Sequence, residues 1–509
     1  MRASRGNAGM LGLCLALAGS ALAVGSASTA SAATASTWGS TTALSQFGAA
    51  QPQLAASSSG ATALATWKHW DGSHDVVQVR VAAVVSNVAN WGTAVNVSND
   101  TQNADAPQIA VSADGTKATA IWRRLDGSNW IIQSASATIS GSTATWGSVT
   151  DLSASGQNAD APQIGLSASG EKATAVWTRS DGSNSIIQSA SATISGSTAT
   201  WGLVTDLSAA GRDAFTPQVA VAVNGEKATA LWWSPDGTNW IVQTKSATIA
   251  GIVAAWGSVT DLSAAGQDAS SAQGIDVSDD GENATAVWSR SDGSNSIIQT
   301  KSATISGNVA TWGAVTDLSA SGQAAESAQV ALSDDGEKAT VVWSRYDGAA
   351  TVVQTKSATI SGDTATWGSL TDLSDSARNA YQQQIALSSD GTKGVAIWFR
   401  NDGSYWIVQT RRATIAGNVA TWGSVAELTA TGATAGFPHV SLSTDGSRAT
   451  ADWLRLEGIY WEVQSKSFGP VEGLPPTGAN ANGFVAVAVL LLALGAALAA
   501  MRRRSVMTA

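Results

Sequence analysis

Residues 162–216 read PQIGLSASGEKATAVWTRSDGSNSIIQSASATISGSTATWGLVTDLSAAGRDAFT. This stretch decides the fold because it recurs about every 55 residues along most of the chain, and a repeat of this size cannot bury a core alone. Alternation and β-branched content predict four strands within it. Strand A is PQIGLS, strand B KATAVW, strand C IIQSASATI and strand D TATWGLVTDL. The A–B, B–C and C–D links are short and carry Gly, as in SADG, DGSN and SGST, which are hairpin signals. The D–A link is longer, SAAGRDAFT at 208–216. Three tight hairpins and a looser step describe a four-stranded antiparallel meander, repeated.

Tryptophans set the number of copies. Strand B ends in Trp67, Trp122, Trp177, Trp232, Trp288, Trp343, Trp398 and Trp453. Strand D carries Trp38, Trp91, Trp146, Trp201, Trp256, Trp312, Trp367 and Trp422, each followed by Gly. The two series start out of phase. The chain begins on a D strand and ends on a C strand, so the eighth unit lacks its own D strand and the segment from Ser36 to Ala43 supplies it. A linear array has no use for such a permutation, whereas a closed ring uses it to remove a free edge. The sequence resembles β-propeller repeat proteins in general. The SxDG turns resemble those of Asp-box and tryptophan–aspartate families, but the spacing matches neither, and no site is carried over from them. The expected fold is all-β, an eight-bladed propeller of four-stranded repeats over residues 33–467, closed by an N-terminal strand that completes the last blade.

The two ends carry a different message. Arg2 and Arg5 precede an apolar run from Met10 to Val24, and Ala30-Ser31-Ala32 suits signal peptidase, so residues 1–32 are expected to be a removed secretory signal. The only cysteine, Cys14, falls inside it, leaving no thiol for a disulfide or a metal. After a short linker at 468–473, Leu474-Pro475-Pro476-Thr477-Gly478 precedes an apolar stretch from Phe484 to Met501 and then Arg502, Arg503 and Arg504. Residues 474–509 thus resemble the sorting signal of LPxTG-type Gram-positive surface proteins. That resemblance implies a sortase as a transient partner, cleavage between Thr477 and Gly478, and covalent attachment of Thr477 to cell-wall peptidoglycan. The apolar stretch would span the membrane before sorting. The expected location is outside the cell, anchored to the wall.

Charged residues are only 13% of the chain, with 28 basic against 38 acidic. The two ends remove five arginines and no acids, so the mature protein is more acidic still. An acidic chain without a basic block is a poor nucleic-acid binder. No catalytic signature is present: no GxSxG, HExxH or phosphate loop. His69 and His74, with Asp71 and Asp75 near them, could meet across the first hairpin, but two imidazoles fix no metal site, and no cofactor is expected.

Departures between copies concentrate at the B–C hairpin. Two residues beyond the strand-B Trp lie Arg124, Arg179, Arg290, Arg345, Arg400 and Arg455, with His69 and Ser234 in the other two units. They either pair with the acid of the adjacent turn or form an anion-binding ring. A two-residue DG turn would set Lys68 opposite Asp75, Arg123 opposite Trp130, Trp233 opposite Trp240, Phe399 opposite Trp406 and Leu454 opposite Trp461. A longer turn would shift this register. Tyr405 and Tyr460 add to the aromatic sector. Large aromatics that other copies replace by Ser or Thr are not required by the fold and suit stacking on sugars or protein hot spots. The expected function is binding of an extracellular glycan or protein at the face formed by the B–C and D–A links. The alternatives are a polysaccharide-acting hydrolase or lyase and a passive wall component.

Overall fold

The computed structural model describes residues 36–46, 48–430 and 432–470, except for the side chains of 270–273. The expected signal and sorting segments, including Leu474, Pro475, Thr477 and Gly478, lie outside the described residues. The described chain is all-β, with eight antiparallel sheets of meander order. In blade 3 strand A is Ala159–Leu166, B is Lys172–Ser180 and C is Ser185–Ser195. Seven further blades repeat this pattern, which is an eight-bladed β-propeller.

Two details differ from the expectation. Strand D is broken into Thr198–Trp201 and Thr205–Asp206, both paired with strand C. The break falls at Gly202, where a methyl group would overlap the carbonyl of Ile252 in the C–D turn of blade 4. The same overlap arises between Gly147 and Ser197, Gly257 and Asn308, and Gly313 and Asp363. The Gly after the strand-D Trp therefore admits the next blade's turn at every junction but the one before blade 8. Strand A, in turn, starts before its Pro and carries a bulge between Asp160 and Gln163. The residue preceding the Pro cannot take the right-handed helical conformation easily, and here it is left-handed, as at Ala161 with φ 49°.

All eight strand-B tryptophans are fully buried. Each packs against the preceding blade: Trp177 sits among Ile121, Ile132 and Leu152 of blade 2, together with Ala175 of its own. Its indole N–H is satisfied by Gln188 Oε1 at 3.2 Å, and Gln188 Nε2 donates to Asp206 at 2.7 Å. The same Trp–Gln–Asp relay from the core to the surface recurs in blades 2, 4 and 5. The strand-D tryptophans are only half-buried and cover the outer part of the same clusters. Full burial is thus confined to the strand-B series.

Closure is achieved twice. At the outer seam, Ser36–Trp38 pairs with the last strand, Tyr460–Pro470, and Thr42–Ala43 pairs further along it. Leu44 is buried against Trp67 and Val463, and Ser45 Oγ accepts the Val463 N–H at 2.7 Å. This repeats the DLS plug of the other blades, where Ser208 Oγ accepts the Ile187 N–H. The last strand runs to Pro470, so residues 468–470, expected to be linker, are strand. At the inner edge the A–B turns form a continuous ring of backbone hydrogen bonds of 2.7–2.9 Å. The N–H groups of Ser58, Ala113, Ala168, Val223, Asp279, Asp334 and Ser389 each donate to the carbonyl of the next, and Thr444 donates back to Ser58. Lys117–Glu171, Lys172–Glu226 and Lys227–Glu282 ion pairs, all 3.0–3.1 Å, reinforce it on one side.

One irregularity follows from the seam. Blade 8 has no C–D turn, because its strands C and D are Tyr460–Pro470 and Ser36–Trp38, from opposite ends of the described residues. Gly423 consequently meets no turn carbonyl, and a cavity of about 560 Å³ lies between blades 7 and 8, lined by Ser36, Arg412, Trp422 and Gly446.

Burying one Trp removes about 150–250 Å² from water, worth roughly 4–6 kcal/mol gross at ~25 cal/mol per Å². Trp288→Ala is expected to destabilise the fold by about 3–5 kcal/mol. An unchanged denaturant midpoint would refute its place in the core.

Candidate binding face

Strands alternate in direction, so B–C hairpins and D–A loops share one face of the disc. A–B and C–D turns share the other. The B–C hairpins use a four-residue loop: Ser180 pairs with Ser185, and the Asp181 N–H donates to the Asn184 carbonyl at 2.8 Å. Asp181 Oδ1 accepts the N–H groups of Ser183 and Asn184. Those two backbone bonds, Asn184 first, hold its carboxyl below the usual carboxylate range. Acids of the DG turns at 71, 292, 347 and 402 are held down in the same way, so they serve the turn itself.

This loop moves the register by two residues from that of a two-residue turn. Trp70 lies opposite Asp75, and Trp233 opposite Val242. A shift of two preserves the face, so the expected pairs meet as diagonal neighbours. Lys68 Nζ is 3.1 Å from Asp75 Oδ2. The Arg123 guanidinium lies 4.5 Å above the Trp130 ring. Trp233 and Trp240 stack at 3.8 Å between centroids, and Phe399 meets Trp406 edge-on at 4.9 Å. His69 lies opposite Val76 and His74 belongs to the loop, so the two imidazoles are not cross-strand partners.

A third residue, from strand A, completes each cluster, and the sequence reading missed it. Phe215 pairs with Trp233 and lies 6.0 Å from Trp240; Tyr381 pairs with Phe399 and lies 5.8 Å from Trp406. In blade 2 the slot holds Asp105, which forms a two-pronged ion pair with Arg123, and Arg123 also reaches Asp160 of blade 3 at 2.9 Å. The same three-residue slot is thus aromatic in blades 4 and 7 and ionic in blades 1 and 2. In blade 3 it holds Asp160, Thr178 and Ser185. Alignment of strand A across its bulge would have shown the third member. Trp233, Phe399 and Trp461 each also pack against the cluster around the next blade's strand-B Trp, namely Trp288, Trp453 and Trp67, and the Trp233 indole N–H donates to the Ala269 carbonyl of blade 5 at 2.6 Å. Tyr405 and Tyr460 stand exposed at their hairpin tips.

The six arginines lie two residues beyond the buried Trp of their blade. They share the face of strand B that carries the buried Trp, in clefts between blades. Arg290 lines a cavity of about 460 Å³ with Asp261 and Leu262 of blade 4 and Lys301 of its own blade. Arg400 pairs with Asp375 at 3.0 Å, and Arg455 with the turn acid Glu457 at 2.6 Å. Arg124 bonds the Leu125 carbonyl. Only blade 8 shows an ion pair between the arginine and the turn acid among the described residues.

The channel has two unlike mouths. On the A–B face, Asp279 and Asp334 are adjacent members of the hydrogen-bonded ring, with Asp276 beside them bonding the Leu332 N–H of the next blade at 2.9 Å. Burial, then the charges of Asp279, Asp335 and Asp390, pushes Asp334 up to about 6. Burial raises Asp276 to about 6 as well, and raises Asp279. On the B–C face, strand-A starts of blades 6–8 line a cavity of about 270 Å³ whose walls include Gln329, Gln384 and His439.

These features define the protein as a β-propeller with a constant frame and variable rim slots. Residues 152–466 match a family of unknown function, DUF7453, and the chain belongs to that family. No curated protein matches it in sequence. Among solved structures it is similar to Sqt1 from Chaetomium thermophilum bound to the N-terminus of the ribosomal protein L10. That match has 10% identity and TM-score 0.47, covering 82% of this chain and 96% of that one. The C-terminal WD40 domain of Sif2 matches at 11% identity and TM-score 0.47, over 85% and 99% of the two chains. The acylaminoacyl peptidase of Pyrococcus horikoshii matches at 9% and 0.40, over 81% and 58%.

The acidic mouth has a consequence for stability. A carboxyl raised to about 6 in the fold, against ~3.9 unfolded, binds its proton in the folded state alone between those values. Stability then falls as pH rises through 6. The melting temperature is expected to be higher at pH 5 than at pH 7, and Asp334→Ser, the residue blade 7 carries as Ser389, should shrink that difference. An equal difference in the variant would contradict the assignment.

Proposed function

We propose that this protein is a secreted, wall-anchored binding module whose B–C/D–A face takes an extracellular glycan or protein. The observation that carries the reading is the three-residue slot. Its frame recurs from blade to blade, yet its contents are aromatic in two blades, ionic in two and small in others. Packing one blade on the next requires none of this, since blade 3 manages with Asp160, Thr178 and Ser185. Half-buried Trp and Tyr rings near a rim offer large flat apolar area with a polar edge, the chemistry of sugar stacking and of protein hot spots.

The geometry of the ends supports the anchoring half of the proposal. Strand C of each blade runs from the B–C hairpin toward the C–D turn, and the last described residue, Pro470, ends such a strand. The chain thus leaves the propeller on the A–B/C–D face, and Thr477 follows within seven residues. A tether there holds that face toward the wall and leaves the opposite face free.

Two measurements test this. On a glycan array, the full chain is expected to bind, and Trp406→Ala and Trp240→Ala to weaken binding by roughly tenfold or more, as for hot-spot aromatics. Binding indifferent to both would discard the aromatic rim. Thr477→Ala is expected to abolish covalent recovery of the protein with wall fragments. Continued attachment would rule out the sortase route.

A further inference from the structure

Blade 8 departs from its seven relatives at one buried position. The residue before the strand-B Trp is Thr66, Ile121, Val176, Leu231, Val287, Val342 or Ile397 in blades 1–7, and all are fully buried. In blade 8 it is Asp452, with 0% of its side chain exposed. Its cross-strand partner in strand A is His439, where blades 6 and 7 carry Gln329 and Gln384. His439 Nδ1 lies 3.1 Å from Asp452 Oδ1. Asp452 Oδ2 has no hydrogen-bond partner among the described residues.

This arrangement costs stability. A buried carboxylate with a free lone pair is expensive, and an apolar residue of similar volume is often neutral or better. The propeller has no need of it, because seven blades pack the same position without a carboxylate. What the pair does achieve is orientation. Burial pushes the Asp452 carboxyl above the usual carboxylate range, against the pull of the His439 bond; in its ionised form it can only accept, so a neutral His439 then carries its proton on Nδ1 and leaves Nε2 as an acceptor. His439 lines the cavity of about 270 Å³ at the B–C mouth of the channel.

The rest of that wall is polar and uncharged. Gln329 and Gln384 offer amide donors and acceptors from the neighbouring blades. Gln382 spends its Oε1 on the Phe437 N–H at 2.9 Å, which leaves its amide N–H groups. Ser327 adds a hydroxyl, and the Phe437 ring stands half exposed at the rim. Gln383 is committed elsewhere, bonding Ser344 Oγ and the Ser327 carbonyl, and so braces the wall. No Lys, Arg, Asp or Glu lines the cavity. Its volume is below the roughly 300–1,000 Å³ typical of sites for drug-sized ligands, which suits one ring-sized unit.

We propose that this channel-mouth pocket binds a single neutral pyranose unit, with His439 Nε2, fixed by Asp452, accepting a hydrogen bond from a sugar hydroxyl. The proposal rests on the glycan reading above and names the class and seat of the ligand. A saccharide array carrying neutral and acidic sugars, probed with the full chain in mild detergent, tests it. The decisive variant is His439→Gln with Asp452→Val, which gives blade 8 the residues its relatives carry. It is expected to melt at an equal or higher temperature, yet to lose neutral-sugar affinity by roughly tenfold, in keeping with the loss of a positioned acceptor. His439→Gln alone should lower the melting temperature, because it strands the buried carboxylate. Undiminished affinity in the double variant, or preference for acidic sugars, would overturn the proposal. If Trp406→Ala abolishes binding while the double variant binds normally, the aromatic rim stands and this pocket falls. If no saccharide binds the unaltered chain, the glycan reading falls along with it.

Discussion

A ring made from one chain has one seam, and everything else in this molecule depends on how that seam is held. Seven blades are continuous meanders. The eighth is assembled from both ends, with Ser36–Trp38 and Thr42–Ala43 laid along Tyr460–Pro470. Without that strand, blade 8 would present a row of unpaired backbone groups to solvent, an invitation to pair with another chain. The plug residues Leu44 and Ser45 extend the latch into the core, so the seam is packed as well as hydrogen-bonded. The inner ring of backbone bonds from Ser58 round to Thr444 ties the same seam a second time, at the smallest radius, where no side chain is needed.

With closure secured, each blade needs few fixed residues. A Trp on strand B fills the gap to the previous blade, in blades 2–5 a Gln and an Asp carry its N–H to the surface, and in all but blade 7 a Gly after the strand-D Trp admits the next turn. The B–C hairpin and the start of strand A are under no such demand. Their shape is set by the turn Asp and the bulge, and their outward side chains vary at little cost. This separation between frame and rim is why differences between blades inform on recognition. The eight copies act as one another's controls within a single chain.

That logic also explains what could be read from the sequence and what could not. The period, the Trp–Gly pairs and the orphan strand at Trp38 disclosed the ring, its eight blades and its latch, because a hydrophobic residue at fixed spacing has one economical use. The face of each hairpin residue was legible too, since a register error of two leaves side chains on the same side. The third member of each slot was not, because the bulge before Gln163 or Gln384 breaks the alternation on which strand A was read. The spacing of the arginines reads as either pairing with the turn acid or forming an anion-binding ring. Their position two residues beyond a buried Trp puts them on the inter-blade face. Asp452 was hidden for a different reason: next to a core Trp, an acid reads as a surface residue until its burial is known.

The placement of the ends bears on where such departures matter. Because strand C of blade 8 ends at the C–D edge, the exit of the chain and the acidic A–B mouth share one face, while His439, the aromatic slots of blades 4 and 7 and the neutral cavity share the other. Under the proposed attachment at Thr477, seven residues beyond Pro470 would span at most about 25 Å, and the two faces would meet different surroundings. Asp279 and Asp334, which disfavour the fold as they ionise, sit on the A–B face. The opposite face gathers the uncharged amides, the oriented imidazole and the half-buried rings. The division of chemistry between the faces follows from the same permutation that closes the ring, since the strand that latches blade 8 also decides on which face the chain departs.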